Sequence, residues 1–254
     1  MSLISIIIPC YNGAATIARA LQSSLAQAEA AQILVVDDGS IDASASIVRT
    51  YGMHEPRIRL LQTVSKGGAA RARNWGALHA STPLIAFLDA DDEYLPGALA
   101  AASAHLQAHP QEAAVRLNVE FADFPQRLTR HPDFERHAAV LSNTVPGSLV
   151  MRRSVFLSLG GFPMDDVFRR HGGEDGALSW VLGEIFEQRR LTDAKHVRMH
   201  YRGGIYPERF LNIQMGYAEA DPVEHEATLR ASRAFLDAAY TNLRQLRAAS
   251  VPDR

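Results

Sequence analysis

Only one cysteine, Cys10, occurs among the 254 residues. No internal disulfide can form, and the composition is that of a protein from a reducing compartment, which points to the cytoplasm. Long apolar runs are missing too: none reaches the roughly 20 residues that a membrane-spanning helix needs. The chain therefore reads as soluble, with attachment to the inner face of a membrane left open. Met1 to Pro9 lacks a positive n-region and a small-residue cleavage site, so it reads as a first strand and not as a signal peptide. An excess of one charge sign is also lacking: 26 Lys and Arg against 28 Asp and Glu leave a net charge of -2, which gives no general attraction to nucleic acid or anionic lipid. The first strand-to-helix turn has no Gly-X-Gly-X-X-Gly, which argues against a dinucleotide oxidoreductase. His131, His137 and His171 show no zinc spacing and have one cysteine to join. No repeat and no low-complexity linker divides the chain, so a single domain is expected.

What is present is an alternation of strands and helices. Leu3 to Ile8, Ile33 to Val36 and Leu84 to Leu88 are short, nearly continuous apolar runs that close on polar or acidic residues, as buried parallel strands do. Arg57 to Gln62 reads as another strand. Helical patterns cover Ala14 to Gln27, Ala43 to Tyr51 and Ala69 to His79, and Leu95 to His109 carries Pro96 in its first turn. This order implies an α/β sheet with right-handed crossovers. Farther on, Val115 to Phe121, Ser148 to Met151 and Ala194 to Tyr201 read as strands, and Val155 to Leu159 and Asp175 to Gln188 as helices. Residues 122 to 144 are polar with weak periodicity and read as an excursion or flexible flap. Glu224 to Ala249 is a long mixed-charge helical pattern that suits either packing on the domain or self-association.

In an open parallel sheet, ligands bind outside the carboxyl ends of the strands. Two strands end in acid here, at Asp37-Asp38-Gly39-Ser40 and at Asp89-Ala90-Asp91-Asp92. Asp-Asp-Gly-Ser is also the composition of a capped turn. Carboxylates gathered in one crevice repel one another unless a cation lies among them, and an all-oxygen donor set suits Mg²⁺ or Mn²⁺. Such an ion is held by one or two carboxylates and by the phosphates of a substrate.

Ser5-Ile6-Ile7-Ile8-Pro9-Cys10-Tyr11-Asn12, Val35-Val36-Asp37-Asp38-Gly39-Ser40 with Asp42, Gly67-Gly68 with Ala70-Arg71-Ala72-Arg73-Asn74, and Phe87-Leu88-Asp89-Ala90-Asp91-Asp92 resemble, in order and spacing, the motifs of family 2 glycosyltransferases. Gly147-Ser148-Leu149-Val150-Met151-Arg152-Arg153-Ser154, Gly160-Gly161-Phe162 and Gly173-Glu174-Asp175 resemble that family's acceptor half. The likeness spans about residues 2 to 205. It implies an α/β GT-A fold: a Rossmann-like, mostly parallel central sheet flanked by helices, a smaller acceptor-side region and a C-terminal helix. It implies one domain over residues 1–254, with a nucleotide-sugar half to about 115, an acceptor half over about 116–212 and a helical extension over about 213–254.

By the same resemblance Pro9, Tyr11 and Asp38 line a base pocket, and Arg71 and Arg73 lie near a diphosphate, with one of the two facing inward. Asp91 ligates the metal, Asp89 sits at the ribose or the metal, and Asp92 stands alongside. Asp175, with Glu174, supplies the general base. His200, in His200-Tyr201-Arg202, stands where relatives often carry residues near the diphosphate or metal, but Gly203-Gly204 follows and the order is rearranged. The implied reaction is inverting transfer from a nucleotide diphospho-sugar, most commonly a UDP-sugar, to a carbohydrate, lipid or protein hydroxyl in glycan synthesis. Mn²⁺ or Mg²⁺ would serve as cofactor, nucleic acid is no partner, and a homodimer and peripheral membrane contact stay open. The other histidines read as surface or acceptor-side residues. A sugar-nucleotide pyrophosphorylase would carry a glycine-rich basic loop where Pro9-Cys10-Tyr11-Asn12-Gly13 stands. The remaining rival is a protein of this fold that binds a nucleotide-sugar without transferring it.

Overall fold

The computed structural model describes residues 3–249, with side chains to 246. Its main sheet is 7-stranded in the order β3-β2-β1-β4-β8-β6-β9, and a 3-stranded sheet runs β5-β10-β7. The strands are β1 Ile4–Cys10, β2 Ala30–Asp37, β3 Ile58–Gln62, β4 Leu84–Phe87, β5 Glu93–Tyr94, β6 Ala114–Arg116, β7 Val119–Ala122, β8 Leu149–Arg152, β9 Gln188–Arg190 and β10 Val197–His200. The helices are α1 Ile17–Leu25, α2 Ser44–His54, α3 Ala69–His79, α4 Ala98–Ala108, α5 Gln126–Thr129, α6 Phe134–Ser142, α7 Arg153–Ser158, α8 Asp166–His171, α9 Glu174–Ile185, α10 Tyr206–Gln214 and α11 Pro222–Ala249. Strands β3, β2, β1 and β4 run parallel, and β8 enters antiparallel to β4 and β6.

Successive side chains of a strand face opposite ways, so a strand buried on both sides feeds two cores. Ile4, Ile6 and Ile8 of β1 join Ile33 and Val35 of β2 under α1, α2 and α4, where Ile17, Leu21, Val48 and Leu99 are buried. Ile7, Leu34, Val36, Ile85 and Phe87 face the other way, against Ala72 of α3, Phe156 of α7 and Leu178, Val181 and Leu182 of α9. Phe235, Leu236 and Ala239 of α11 close that second core, so this 28-residue helix packs on its own domain. Among the described residues no helix is long and apolar enough to cross a membrane.

The strand β1 continues through Pro9 and Cys10, beyond the expected stop at Ile8. Pairing with β4 has already ended at Ile7, so the missing Pro9 N–H leaves no bond unmade. The helix expected from Ala14 begins at Ile17, because residues 14 to 16 form a turn: Asp42 accepts from Ala14 N at 3.0 Å and Ser44 Oγ accepts from Gly13 N at 2.8 Å. The single strand expected over Val115 to Phe121 is two strands in different sheets. Leu117 N donates to Ser148 O, closing the β6 side, and Asn118 O accepts from His196 N and Val197 N, opening the β7 side. The expected flap over residues 122 to 144 holds α5 and α6, with Leu128, Ala138 and Leu141 buried and Phe121 edge-on to Phe124 and Phe134. Helices this short bury too few residues for a clear 3.6-residue period.

Two features set the site. The acidic run lies between β4 and β5, and β5 pairs antiparallel with β10, which brings the end of β10 beside the acids. Helix α3 lies close on β1 because Gly76 faces Ile7; a Cβ there would stand 2.5 Å from Ile7 Cγ2 and 3.2 Å from Val36 Cγ2. Gly76→Ala should therefore overpack the sheet and cost about 2 kcal/mol, read as a lowered urea midpoint with an unchanged slope.

Candidate functional site

The two acidic strand ends have different fates. Asp37 is buried and accepts from Ser40 N at 3.0 Å and Gln62 Nε2 at 3.1 Å, and Asp42 holds Ala14 N and Ser44 N. Both are turn-forming groups and stand outside the expected carboxylate gathering. Asp38 points into the crevice wall, where it accepts from Gly67 N at 2.8 Å, Gly68 N at 2.7 Å, Thr63 Oγ1 at 3.0 Å and Arg71 Nη2 at 3.1 Å. It thereby ties the loop before α3 to the end of β2. A cleft of about 440 Å³ follows, lined by Pro9, Tyr11, Asp38, Lys66, Asp89 and Asp91, within the usual range for a small-ligand site. Lys66 Nζ lies 3.9 Å over the Tyr11 ring centroid. Arg71 bonds Asp38 and the Ser65 carbonyl and stays partly exposed at the rim.

Arg73 turns inward, as expected for one of two helix residues two places apart. Its side chain is 5% exposed and pairs with Asp89 at 2.7 Å and Glu174 at 3.2 Å. Burial works against its charge, but Asp89 and Glu174 outweigh that and hold its pKa above the ordinary value. Asp92 is buried and accepts from His200 N at 3.0 Å. Burial first, then Asp89 and Asp91, push its carboxyl well above the usual range. The Asp91 carboxylate meets Arg202 Nε at 2.5 Å, and its carbonyl takes a bond from Arg19. The His200 imidazole is turned to Glu93, at 2.9 Å from Nε2, and to Asp123, at 3.6 Å from Nδ1. Its backbone reaches the acids more directly than its ring.

A second cleft, of about 300 Å³, adjoins the first along Arg73, Asp89, Asp91 and Arg202, and its far wall carries Asp175 and Tyr206. Gly172 and Gly173, at φ +76° and +97°, make a left-handed turn that aims the first turn of α9 into this cleft. Asp175 keeps access to the cleft yet is largely surrounded by protein. Burial and the adjacent Glu174 push its carboxyl up to about 7, against an opposing hydrogen bond from Gly176 N at 2.8 Å and the charge of Arg73. A carboxylate titrating near neutrality in a cleft can take or give a proton there.

Lys66, Arg19 and Tyr206 had no place in the sequence reading. Lys66 precedes the Gly67-Gly68 turn and Tyr206 opens a helix after Gly203-Gly204, so loop glycines were the available signal. One histidine cluster also went unseen: His105 near the end of α4, His109 just past it and Glu112 beyond bring ligand atoms within 4.8 Å of one another. His105 Nε2 lies 2.7 Å from Glu112 Oε2.

The charge in the first site fits a hard cation. Arg73 is shared between Asp89 and Glu174 and Arg202 sits on Asp91, so the carboxyls of Asp89, Asp91, Asp92 and Glu174 outnumber the two guanidiniums paired with them. Asp89, Asp91 and Asp92 do not converge as three ligand atoms, so an ion here would take one or two carboxylates and complete its oxygen shell from phosphates.

The model of "Glycosyl transferase family 2" matches residues 5–158, more than half of the chain. The chain belongs to this glycosyltransferase family. Its matched region contains the whole acidic run and ends before Glu174 and Asp175. The succinoglycan biosynthesis protein ExoU of Rhizobium meliloti is 38% identical over 212 residues, 82% of this chain and 57% of that protein. Validoxylamine A glucosyltransferase of Streptomyces hygroscopicus subsp. jinggangensis is 36% identical over 148 residues, 54% of this chain and 32% of that protein. The match thus spans 57% of the first of these relatives and 32% of the second. Among solved structures, the mannosyltransferase PcManGT of Pyrobaculum calidifontis, in complex with GDP-Man and Mn²⁺, superposes with TM-score 0.64 at 22% identity, covering 98% of this chain and 76% of that one. S. aureus TarS 1-349 in complex with UDP gives TM-score 0.64 at 18% identity, covering 94% and 72%. The fold is GT-A, as the motifs implied.

The raised carboxyl of Asp175 has a thermodynamic consequence. An acid whose folded pKa lies above its unfolded value destabilises the fold as pH rises from about 4 through about 7. Asp175→Asn, which keeps an acceptor for Gly176 N, should melt a few degrees above the wild type at pH 8. The difference should shrink toward zero as the pH falls to about 4, by differential scanning calorimetry.

Proposed function

We propose that this family 2 glycosyltransferase transfers a sugar from a nucleotide diphospho-sugar to an acceptor hydroxyl with inversion at the anomeric carbon, in glycan synthesis. The observation that carries the reading is Arg73, which binds Asp89 in one cleft and Glu174 in the next, so that the acidic run and Asp175 face a shared junction. Two adjoining clefts that share Asp89 and Asp91 at their junction, with a proton-accepting group on the far wall of the second, suit such a transfer. We assign residues up to about 115 to the donor, about 116–212 to the acceptor and about 213–254 to a helical extension, within one domain.

Pro9 and Tyr11 form the wall for the base, and Asp38 serves it by holding the Gly67-Gly68 loop in place. Lys66, over the Tyr11 ring, and Arg202, paired with Asp91, are the exposed cations at the first cleft that we assign to the phosphates, while Arg71 at the rim and Arg73 at the junction steady the loop and the acids. Asp91 and Asp89 would hold Mn²⁺ or Mg²⁺, with Asp92 behind them and His200 contributing through its backbone. When bound, the cation offsets the charge that grows on the departing diphosphate. Asp175 takes the proton from the acceptor hydroxyl as that oxygen forms its bond to the sugar, on the face away from the diphosphate. Glu174 and its pair with Arg73 keep Asp175 at the mouth of the junction. UDP-sugars are the preferred donor class in this proposal, by analogy with TarS bound to UDP, and the cytoplasm is the preferred site, where such donors meet a cysteine-poor chain.

A binding protein of the same fold is the alternative, and a pair of variants separates the two. Asp91→Ala should lose the Mn²⁺-dependent thermal shift given by a UDP-sugar. Asp175→Asn should keep that shift and lose transfer by about 10²- to 10⁴-fold. Undiminished metal-dependent binding in Asp91→Ala would falsify the placement of the ion, and wild-type turnover in Asp175→Asn would require another base.

A further inference from the structure

A third cleft, of about 630 Å³, lies behind the first turn of α9, and its walls include Arg116, Arg189, Arg190, Trp180, Asn143 and Thr144. No aspartate or glutamate lines it. In a chain with net charge -2, three guanidinium groups around one uncountered cleft are a local departure.

Arg116 is the telling member. It is 2% exposed, yet no carboxylate bonds to it. Nη1 donates to Ser148 Oγ at 3.2 Å and Val145 O at 3.4 Å, Nη2 donates to Ser179 Oγ at 2.6 Å, and Nε has no partner. Burial lowers its pKa to about 10, and the charge of Asp175 opposes the fall. A buried cation held only by neutral oxygens is a site short of an anion. Arg190 Nη1 donates to Ala139 O at 2.5 Å, and Arg189 is exposed and makes no ion pair among the described residues. Forked donors of this kind match phosphate oxygens.

The cleft is also wired to the general base. Ser179 Oγ, which accepts from Arg116, donates to Asp175 O at 2.7 Å, and Gly176, on the cleft wall, donates its N–H to the Asp175 carboxylate. Asn143 and Thr144 line this cleft while Val145 and Pro146 line the one that holds Asp175. The two spaces therefore lie on either side of one helix turn and one short segment.

We propose that this arginine cleft binds the phosphate group of a phosphorylated acceptor, whose sugar hydroxyl then reaches over the first turn of α9 to Asp175. The acceptor role rests on the transfer reading above, whereas phosphate binding does not. Trp180 is the reporter: the chain has 2 tryptophans, and Trp75 is removed by Trp75→Phe. With EDTA present to silence the donor site, the full chain is titrated with glucose 1-phosphate and, separately, with inorganic phosphate. Saturable quenching by glucose 1-phosphate is expected, about tenfold tighter than by inorganic phosphate, with both weakened about tenfold or more by Arg189→Glu. Arg116→Gln should act in the same direction; should it fail to fold, the exposed Arg189 carries the test. Absence of quenching, or binding unchanged by Arg189→Glu, overturns the site. Inorganic phosphate binding as tightly as the sugar phosphate overturns the acceptor assignment. Failure of nucleotide-sugar turnover with this binding intact would remove the transfer reading and leave the phosphate site standing.

Discussion

The arrangement of this molecule depends on one buried guanidinium. Arg73 joins Asp89, at the end of β4, to Glu174, 101 residues away in sequence, at the start of α9. Arg73 is the buried member of the set, and without the two acids its charge would be left uncompensated at a cost of about 3–5 kcal/mol. The closeness of α3 to the sheet, set by Gly76 against Ile7, brings that arginine to the strand ends. The left-handed Gly172-Gly173 turn delivers Glu174 and Asp175 from the other side. The bridge thus fixes the proposed base relative to the proposed metal-holding acids.

The same region holds charge that folding alone would avoid. Asp92 and Asp175 are both pushed toward their protonated forms by burial and by neighbouring carboxylates. Groups destabilised in this way are common where a ligand is to supply the missing counter-charge or a proton is to be moved. Arg116 is the mirror case, a buried cation with no carboxylate bonded to it, and two hydrogen bonds through Ser179 link it to the backbone of Asp175. Carboxyls gathered on the proposed donor side call for a cation before a diphosphate can bind, whereas the guanidinium groups behind α9 can meet an anion directly.

The parallel core was legible because β1, β2 and β4 are buried on both faces, so their apolar runs are nearly unbroken and the acids at the ends of β2 and β4 stand out. The order of motifs then carried the family. What the sequence concealed was set by contacts distant in the chain. Asp37 and Asp38 are adjacent acids, and only folding shows that Ser40 and Gln62 occupy the first while Gly67 and Gly68 engage the second. Val115 to Phe121 has one apolar pattern but serves two sheets. The helices of residues 122 to 144 are too short to announce themselves, and Arg116 looks like any strand arginine until its burial without a carboxylate is seen.

If the Arg73 bridge sets Asp175 opposite the leaving group, the sugar must be released with its anomeric configuration inverted. The direct measurement is proton NMR of UDP-glucose, or of UDP-N-acetylglucosamine where that is turned over faster, during slow hydrolysis by the enzyme with Mn²⁺ and water as acceptor. Both donors are α-linked, so the first sugar to appear should be the β-anomer, before mutarotation mixes the two. Initial release of the α-anomer would contradict the account, because retention needs a protein nucleophile or a displacement on the face of the leaving group, and neither fits Asp175 as the proposed base.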